Sequence, residues 1–101
     1  MARPGVFQLL SAAAATGASN VVEPRGACRS FQVVISDTAS VELQVSNDPL
    51  ASTDPASATW VTAETVTASG GYEHSEVSWR YTRANVSAYT SGTVDCWLSV
   101  L

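Results

Sequence analysis

Residues 77–100 read VSWRYTRANVSAYTSGTVDCWLSV, and the alternation inside this stretch decides the fold class. Val94, Cys96, Leu98 and Val100 recur at every second position, the period that places side chains on one face of a β-strand. Residues 77–88 form a second long strand candidate carrying Trp79, Tyr81 and Val86. Between the two, Thr90-Ser91-Gly92 fits a three-residue hairpin loop with Gly92 in the left-handed conformation that such a loop requires. This register sets Ala88 opposite Val94, Val86 opposite Cys96 and Ala84 opposite Leu98, all compatible with a core. The other face then carries Arg83, Asn85, Asp95 and Trp97, with Arg83 diagonal to Trp97.

The same pattern continues upstream. Phe31, Val33 and Ile35 share a face, and Val34 breaks strict alternation as a strand covered on both sides does. Val41, Leu43 and Val45 alternate with Glu42, Gln44 and Ser46, and the turn residues Asp37 and Thr38 join the two runs into a predicted hairpin. Asn47-Asp48-Pro49 stops the strand, because Asn and Asp bond locally and proline removes a ladder donor. Residues 50–57 read as an exposed loop, residues 60–67 as a Thr/Val-rich strand, and Ser69-Gly70-Gly71 as a break. Residues 5–13 and 18–24 supply two more short strands joined through Thr16-Gly17, with one helical turn at the alanines of residues 12–15 as the alternative. Seven or eight short strands in 101 residues predict an all-β fold, an antiparallel β-sandwich or small barrel. Alternation alone does not separate jelly-roll from immunoglobulin-like strand order.

A chain of this length holds one domain, divided here into residues 1–19, an N-terminal arm or first strand, and residues 20–101, the β-sandwich. A single core of that size leaves stability marginal unless association adds to it. Charged residues make up only 14% of the chain, well below the roughly 25% of ordinary soluble domains, so the surface is built mostly of Ser, Thr, Ala, Gln and Asn. Such a surface suits either dense packing against neighbours or a plain Ser/Thr-rich monomer. Every basic residue is an arginine, and the net charge is −4. No basic stripe is available for phosphates, which argues against nucleic acid or an anionic membrane as partner. The apolar run at residues 6–15 is too short to span a bilayer. Preceded only by Arg3 and interrupted by Gln8, it makes a poor signal peptide despite the small residues that follow.

Chemistry-bearing constellations are sparse. Cys28 and Cys96 have no CxxC or Cys/His spacing and the only histidine is His74, so a structural zinc site is not expected. A Cys28 to Cys96 bridge and two reduced apolar thiols both remain open. His74 sits in a polar glycine-led segment that reads as a loop, and Glu73 with Glu76 is the nearest pair of carboxylates for glycoside chemistry. Nucleophile elbow, phosphate-binding loop and EF-hand patterns are all missing from the sequence. The chain is therefore read as no enzyme, with neither catalytic nor metal or cofactor residues. Aromatics offer the other route to function, since tryptophan or tyrosine on a β face can stack on sugars or anchor an interface. Trp60, Trp79 and Trp97 are the candidates; in small sandwiches such residues also fill or edge the core, and Trp79 leans that way.

The order V-E-L-Q-V-S-N-D at residues 41–48, then Trp60, S-W-R-Y-T-R-A-N-V at residues 78–86 and S-G-T-V at residues 91–94 resembles a group of small virion structural proteins of tailed bacteriophages. The resemblance covers about the C-terminal two-thirds of the chain. It implies a β-sandwich or jelly-roll module of about seven to eight strands. It also implies a capsid decoration, or cement, protein that binds the outer face of the major capsid protein lattice and copies of itself, a trimer being favoured over a dimer. Location is then the capsid exterior, after assembly in the bacterial cytoplasm. The motif order is similar, too, to discoidin-like carbohydrate-binding jelly rolls. The alternative is accordingly a tail-fibre or baseplate module recognising a glycan or host surface protein. Candidate interface residues are Phe7, Leu9, Trp60, Trp79, Tyr81, Arg83 and Trp97, the first two as part of an arm reaching a neighbour.

Overall fold

Alternating sequences must bury one face, and the chain does so by stacking two antiparallel four-stranded sheets. The computed structural model describes residues 5–23, 29–74 and 79–100. Its elements are β1 (Gly5–Ala13), β2 (Gly17–Ala18), β3 (Arg29–Ile35), β4 (Thr38–Ser46), a single helical turn α1 (Leu50–Thr53), β5 (Val61–Val66), β6 (Gly70–His74), β7 (Tyr81–Ser91) and β8 (Val94–Val100). The first sheet has the order β1-β8-β3-β6 and the second β2-β7-β4-β5. Strand one pairs with eight, two with seven, three with six and four with five. That nesting is a long two-stranded ribbon rolled on itself, and rolling adds the lateral pairs β3 with β8 and β4 with β7. The result is a jelly roll.

The inward faces are those the alternation indicates. Val33, Val41, Leu43, Ala84, Val94, Cys96 and Leu98 are fully buried, with Phe31, Val66 and Val86 nearly so. β1 joins the same core through a bulge. Gln8 lies opposite Trp97 and Leu10 opposite Cys96, so Leu9 is the extra residue, and two consecutive leucines turn inward. A second irregularity puts Ala12 at φ 48, where its amide N–H donates to Asp95 Oδ1 at 2.8 Å. Residues 5–13 are thus paired along β8, and no helical turn forms at the alanines of residues 12–15. Among the described residues a helical turn lies instead at Leu50–Thr53, in the stretch read as a loop.

The predicted hairpins are corrected in an instructive way. β7 and β8 lie in different sheets, as do β3 and β4. Val86 is opposite Val41 and Ala84 opposite Leu43, whereas Cys96 is opposite Val33 and Leu98 opposite Phe31. Alternation reports which face a residue takes, and the face is the same whether the neighbour lies alongside or across the core. Gly92 does adopt the left-handed region, at φ 89, but at a corner between sheets. That corner packs on the β3–β4 corner. Ser36 N–H donates to Thr93 O at 3.0 Å, Thr93 N–H donates to Ser36 Oγ at 2.7 Å, and Ser91 Oγ donates to Asp37 Oδ2 at 2.6 Å. A second correction concerns residues 70–74, whose glycines read as a break. They form edge strand β6 against β3, and His74 ends it. An edge position tolerates glycine because one side of the strand has no partner to lose.

Cys96 carries a free thiol with no exposed surface, and Cys28 lies outside the described residues. Burial in the apolar core pushes the Cys96 thiol up to about 12. In a Cys28→Ser background, Ellman's reagent should therefore leave the native protein unmodified and titrate one thiol only after unfolding; rapid native reaction would contradict this burial. Gly92→Ala should destabilise the fold by about 2–4 kcal/mol in chemical denaturation. The cause is that a Cβ there would lie 2.8 Å from the Asp37 backbone N and 2.6 Å from Ser36 Oγ.

Candidate functional site

The outer faces of the two sheets differ in how their polar groups are satisfied. On the second sheet, β4 presents Glu42 and Gln44 and β7 presents Arg83 and Asn85, with Glu42 opposite Asn85 and Gln44 opposite Arg83. Arg83 Nε donates to Gln44 Oε1 at 2.7 Å. Asn85 Nδ2 donates to Glu42 Oε1 at 3.2 Å, and Thr62 Oγ1 donates to Glu42 Oε2 at 3.5 Å. The Arg83 guanidinium lies over the Trp60 ring, 4.1 Å from its centroid, within cation–π range. Burial lowers the Arg83 pKa and Glu42 opposes the shift; an arginine remains cationic at neutral pH regardless.

The loop between β4 and β5 brings Trp60 to that face. Asp48 accepts the Leu50 N–H at 2.9 Å through Oδ1 and the Thr59 N–H at 2.8 Å through Oδ2. Ser46 Oγ donates to Thr59 O at 2.6 Å. The indole N–H of Trp60 then donates to Pro55 O at 3.0 Å. Ring, indole N–H, guanidinium and carboxylate on this face all have partners within the chain, so it is a closed surface.

The first sheet is the opposite case. Register places Gln8, Trp97, Gln32 and Gly71 in one row across all four strands, from β1 through β8 and β3 to β6. Alternation turns this row outward, because Leu98, Cys96, Phe31 and Val33 on either side of it are buried. A groove of about 800 Å³ runs over the Trp97, Gln32 and Gly71 part of the row, lined among others by Val6, Gln32, Val34, Gly71, Trp97 and Ser99, with Gln8 beside it on β1. No described residue lining the groove is charged. Trp97 is half-buried, while Val6 and Val34 are 68% and 38% exposed. Among the described residues the Trp97 indole N–H, the Gln32 amide and the Ser30 and Ser99 hydroxyls have no hydrogen-bond partner. Gly71 keeps the groove open at the β6 side, where an added Cβ would meet only Phe31 O, at 4.0 Å.

The sequence-derived candidates are scattered by this architecture. Trp60 and Arg83 come together, but Arg83 stacks on Trp60 and not on Trp97, which belongs to the other sheet. Leu9 and Tyr81 are buried at 7% exposure each and so present little surface. Phe7 is 39% exposed on edge strand β1. Trp79 is half-buried just before β7. Gln8 and Gln32 pair with Trp97, Gly71 continues the row and Ser30 lines the same groove; no local pattern links them, because they come from three strands distant in sequence. The side chains of Glu73, His74 and Glu76 lie outside the description. Among the described residues no three His, Cys, Asp or Glu side chains come together as metal ligands. Comparison with known protein families, with curated proteins and with solved structures finds no match to the chain.

Asp48 provides a titratable check on the loop that carries Trp60. The Thr59 and Leu50 N–H groups hold its pKa below the ordinary 3.8, so the native state favours the carboxylate. The stabilisation is fully present above the unfolded value and is lost as pH falls through the lower native one. Asp48→Asn should accordingly be less stable than the parent at neutral pH, with the gap narrowing below about pH 4 in urea titrations. A gap independent of pH would show that the carboxylate charge plays no part.

Proposed function

We propose that the chain is a structural protein of a tailed-bacteriophage virion, a decoration protein that attaches to the outer face of the major capsid protein lattice. The segments that carry the resemblance build the part of the fold that closes it. Residues 41–48 form β4 and its stop, Trp60 leads into β5, residues 81–86 begin β7, and Ser91 to Val94 form the corner into β8. A jelly roll is a fold that viral capsids use, which supports the reading by analogy.

One observation carries the proposal: an apolar sheet edge left uncovered among the described residues. β1 is the outermost strand of the first sheet. Its bulges distort the half beyond Gln8, but residues 5–8 keep regular pairing with β8, and there Val6 and Phe7 are exposed. A regular, apolar edge is a template for a second chain unless something covers it. Attachment through such an edge works by buried area distributed over several subunits, so modest single contacts add to a tight hold. The fold needs no turnover for this, and the ionisable groups Asp37, Asp48, Glu42, Asp95 and Arg83 already serve the fold itself. Arg80 does likewise, pairing with Glu23 at 3.0 Å.

The test is sedimentation with capsids assembled from the same genome without this chain. The wild-type protein should travel with the capsids. Phe7→Lys, a charge of the kind that blunts edges, should keep its circular dichroism spectrum and weaken retention roughly tenfold, about 1.4 kcal/mol of binding. Wild-type protein left wholly in the supernatant at saturating concentration would sink the proposal.

A further inference from the structure

The uncovered edge accounts for attachment, but not for the groove on the face beside it. Resting on the reading of the chain as a virion surface module, we infer that the row Gln8–Trp97–Gln32–Gly71 on the first sheet is a binding site for a neutral oligosaccharide. A pyranose ring has an apolar face of C–H bonds and a rim of hydroxyls. The row offers the complement of both. An indole sits in the middle to stack against the ring face. Carboxamides lie on either side of it in register, and a carboxamide both donates and accepts, as hydroxyls require. Gln8 Nε2 is tied to Leu10 O at 3.3 Å, which fixes that side chain along the strand.

Three further observations select this ligand class. The described lining holds no charged residue, so no described side chain there compensates a sulfate or carboxylate, and a neutral ligand avoids leaving a charge unpaired. The Trp97 indole N–H, the Gln32 amide and the Ser30 and Ser99 hydroxyls are unpartnered among the described residues, in contrast to Trp60 on the second sheet, whose N–H and ring face are both occupied. A groove of about 800 Å³ falls in the range of small-ligand sites and has room for more than one sugar ring. Gly71 is the residue that keeps it open: with no side chain opposite Gln32, the groove extends to the β6 edge. On a decorated capsid many such sites would act together, so weak single binding would suffice for adhesion.

The experiment is a titration followed by the indole and side-chain amide signals in ¹H–¹⁵N NMR. The probes are maltotriose, cellotriose, chitotriose and a mannotriose, with a sulfated disaccharide as charged control. At least one neutral probe should shift the Trp97 indole and the Gln32 amide, with a dissociation constant on the order of 1 mM, while the Trp60 indole stays still. Trp97→Ala should abolish the shifts of Gln32. Gly71→Leu should do the same at an unchanged unfolding midpoint, since its Cβ has space and only the groove is filled. No shift from any neutral probe up to tens of millimolar would overturn the inference, as would binding that survives Gly71→Leu, or a response to the sulfated control alone. Apolar dye binding at the groove without any sugar response would point to a protein partner there and would also overturn it. Capsid sedimentation and sugar titration of the wild-type protein together separate the two proposals. Retention without sugar binding removes this site alone, and sugar binding without retention removes the capsid reading alone.

Discussion

The contact on which the rest of the structure depends is the mutual lock of two corners, Ser36 and Asp37 against Gly92 and Thr93. Each corner carries the chain from one sheet to the other, and each uses backbone and hydroxyl groups of the other as hydrogen-bond partners. Gly92 is needed because the close approach leaves no space for a Cβ and because its φ is positive. With the corners side by side, β8 inserts between β1 and β3, and β7 between β2 and β4. The position of every outward residue follows from that insertion. Trp97 lies between two glutamines only because β8 is flanked by β1 and β3. In a β7–β8 hairpin it would instead have faced the strand that carries Arg83 and Asn85.

The two sheets bury similar inner faces yet treat their outer faces differently. On the second sheet, Glu42 gathers donors from both neighbouring strands, and Arg83 bridges Gln44 and the Trp60 ring. Such a network orders long side chains at an entropic cost and gains rigidity in return, as cooperating hydrogen bonds do. On the first sheet the described side chains around Trp97 are amides, hydroxyls and small apolar groups, and among the described residues they bond little with each other. A face whose polar groups are satisfied internally gains little by docking. One whose groups are satisfied only by water can exchange that water for a ligand at small net loss.

Much of the fold was legible because burial follows a period of two. The inward sets Phe31/Val33, Val41/Leu43/Val45, Ala84/Val86 and Val94/Cys96/Leu98 are all visible in the sequence, and all are core. Strand adjacency was not legible, since an in-sheet hairpin and a corner across the core make the same demand on alternation. β6 was hidden by Gly70 and Gly71, whose usual meaning as breakers yields to pairing with β3 at an edge. The consecutive leucines of β1 were hidden by a bulge, which no simple period encodes. For the site, the aromatic at its centre was visible and its partners were not. A row across a sheet is assembled from residues 8, 32, 71 and 97, and only the topology puts them in line.

Edge and groove share one sheet, and the arrangement lets them act independently. The exposed part of β1 holds Val6 and Phe7 at one margin, whereas Gly71 and β6 form the opposite margin two strands beyond Trp97. A partner strand added beside β1 would extend the sheet sideways and leave the row above β8 and β3 uncovered, because strand addition uses in-plane hydrogen bonds and the row projects out of the plane. Among the described residues Val6 and Gln8 belong to both, Val6 being exposed on the edge strand and lining the groove, and Gln8 pairing with Trp97 in the row. Any coupling between the proposed attachment and the proposed ligand binding therefore has to pass through these side chains or through the backbone pairing of β1 with β8.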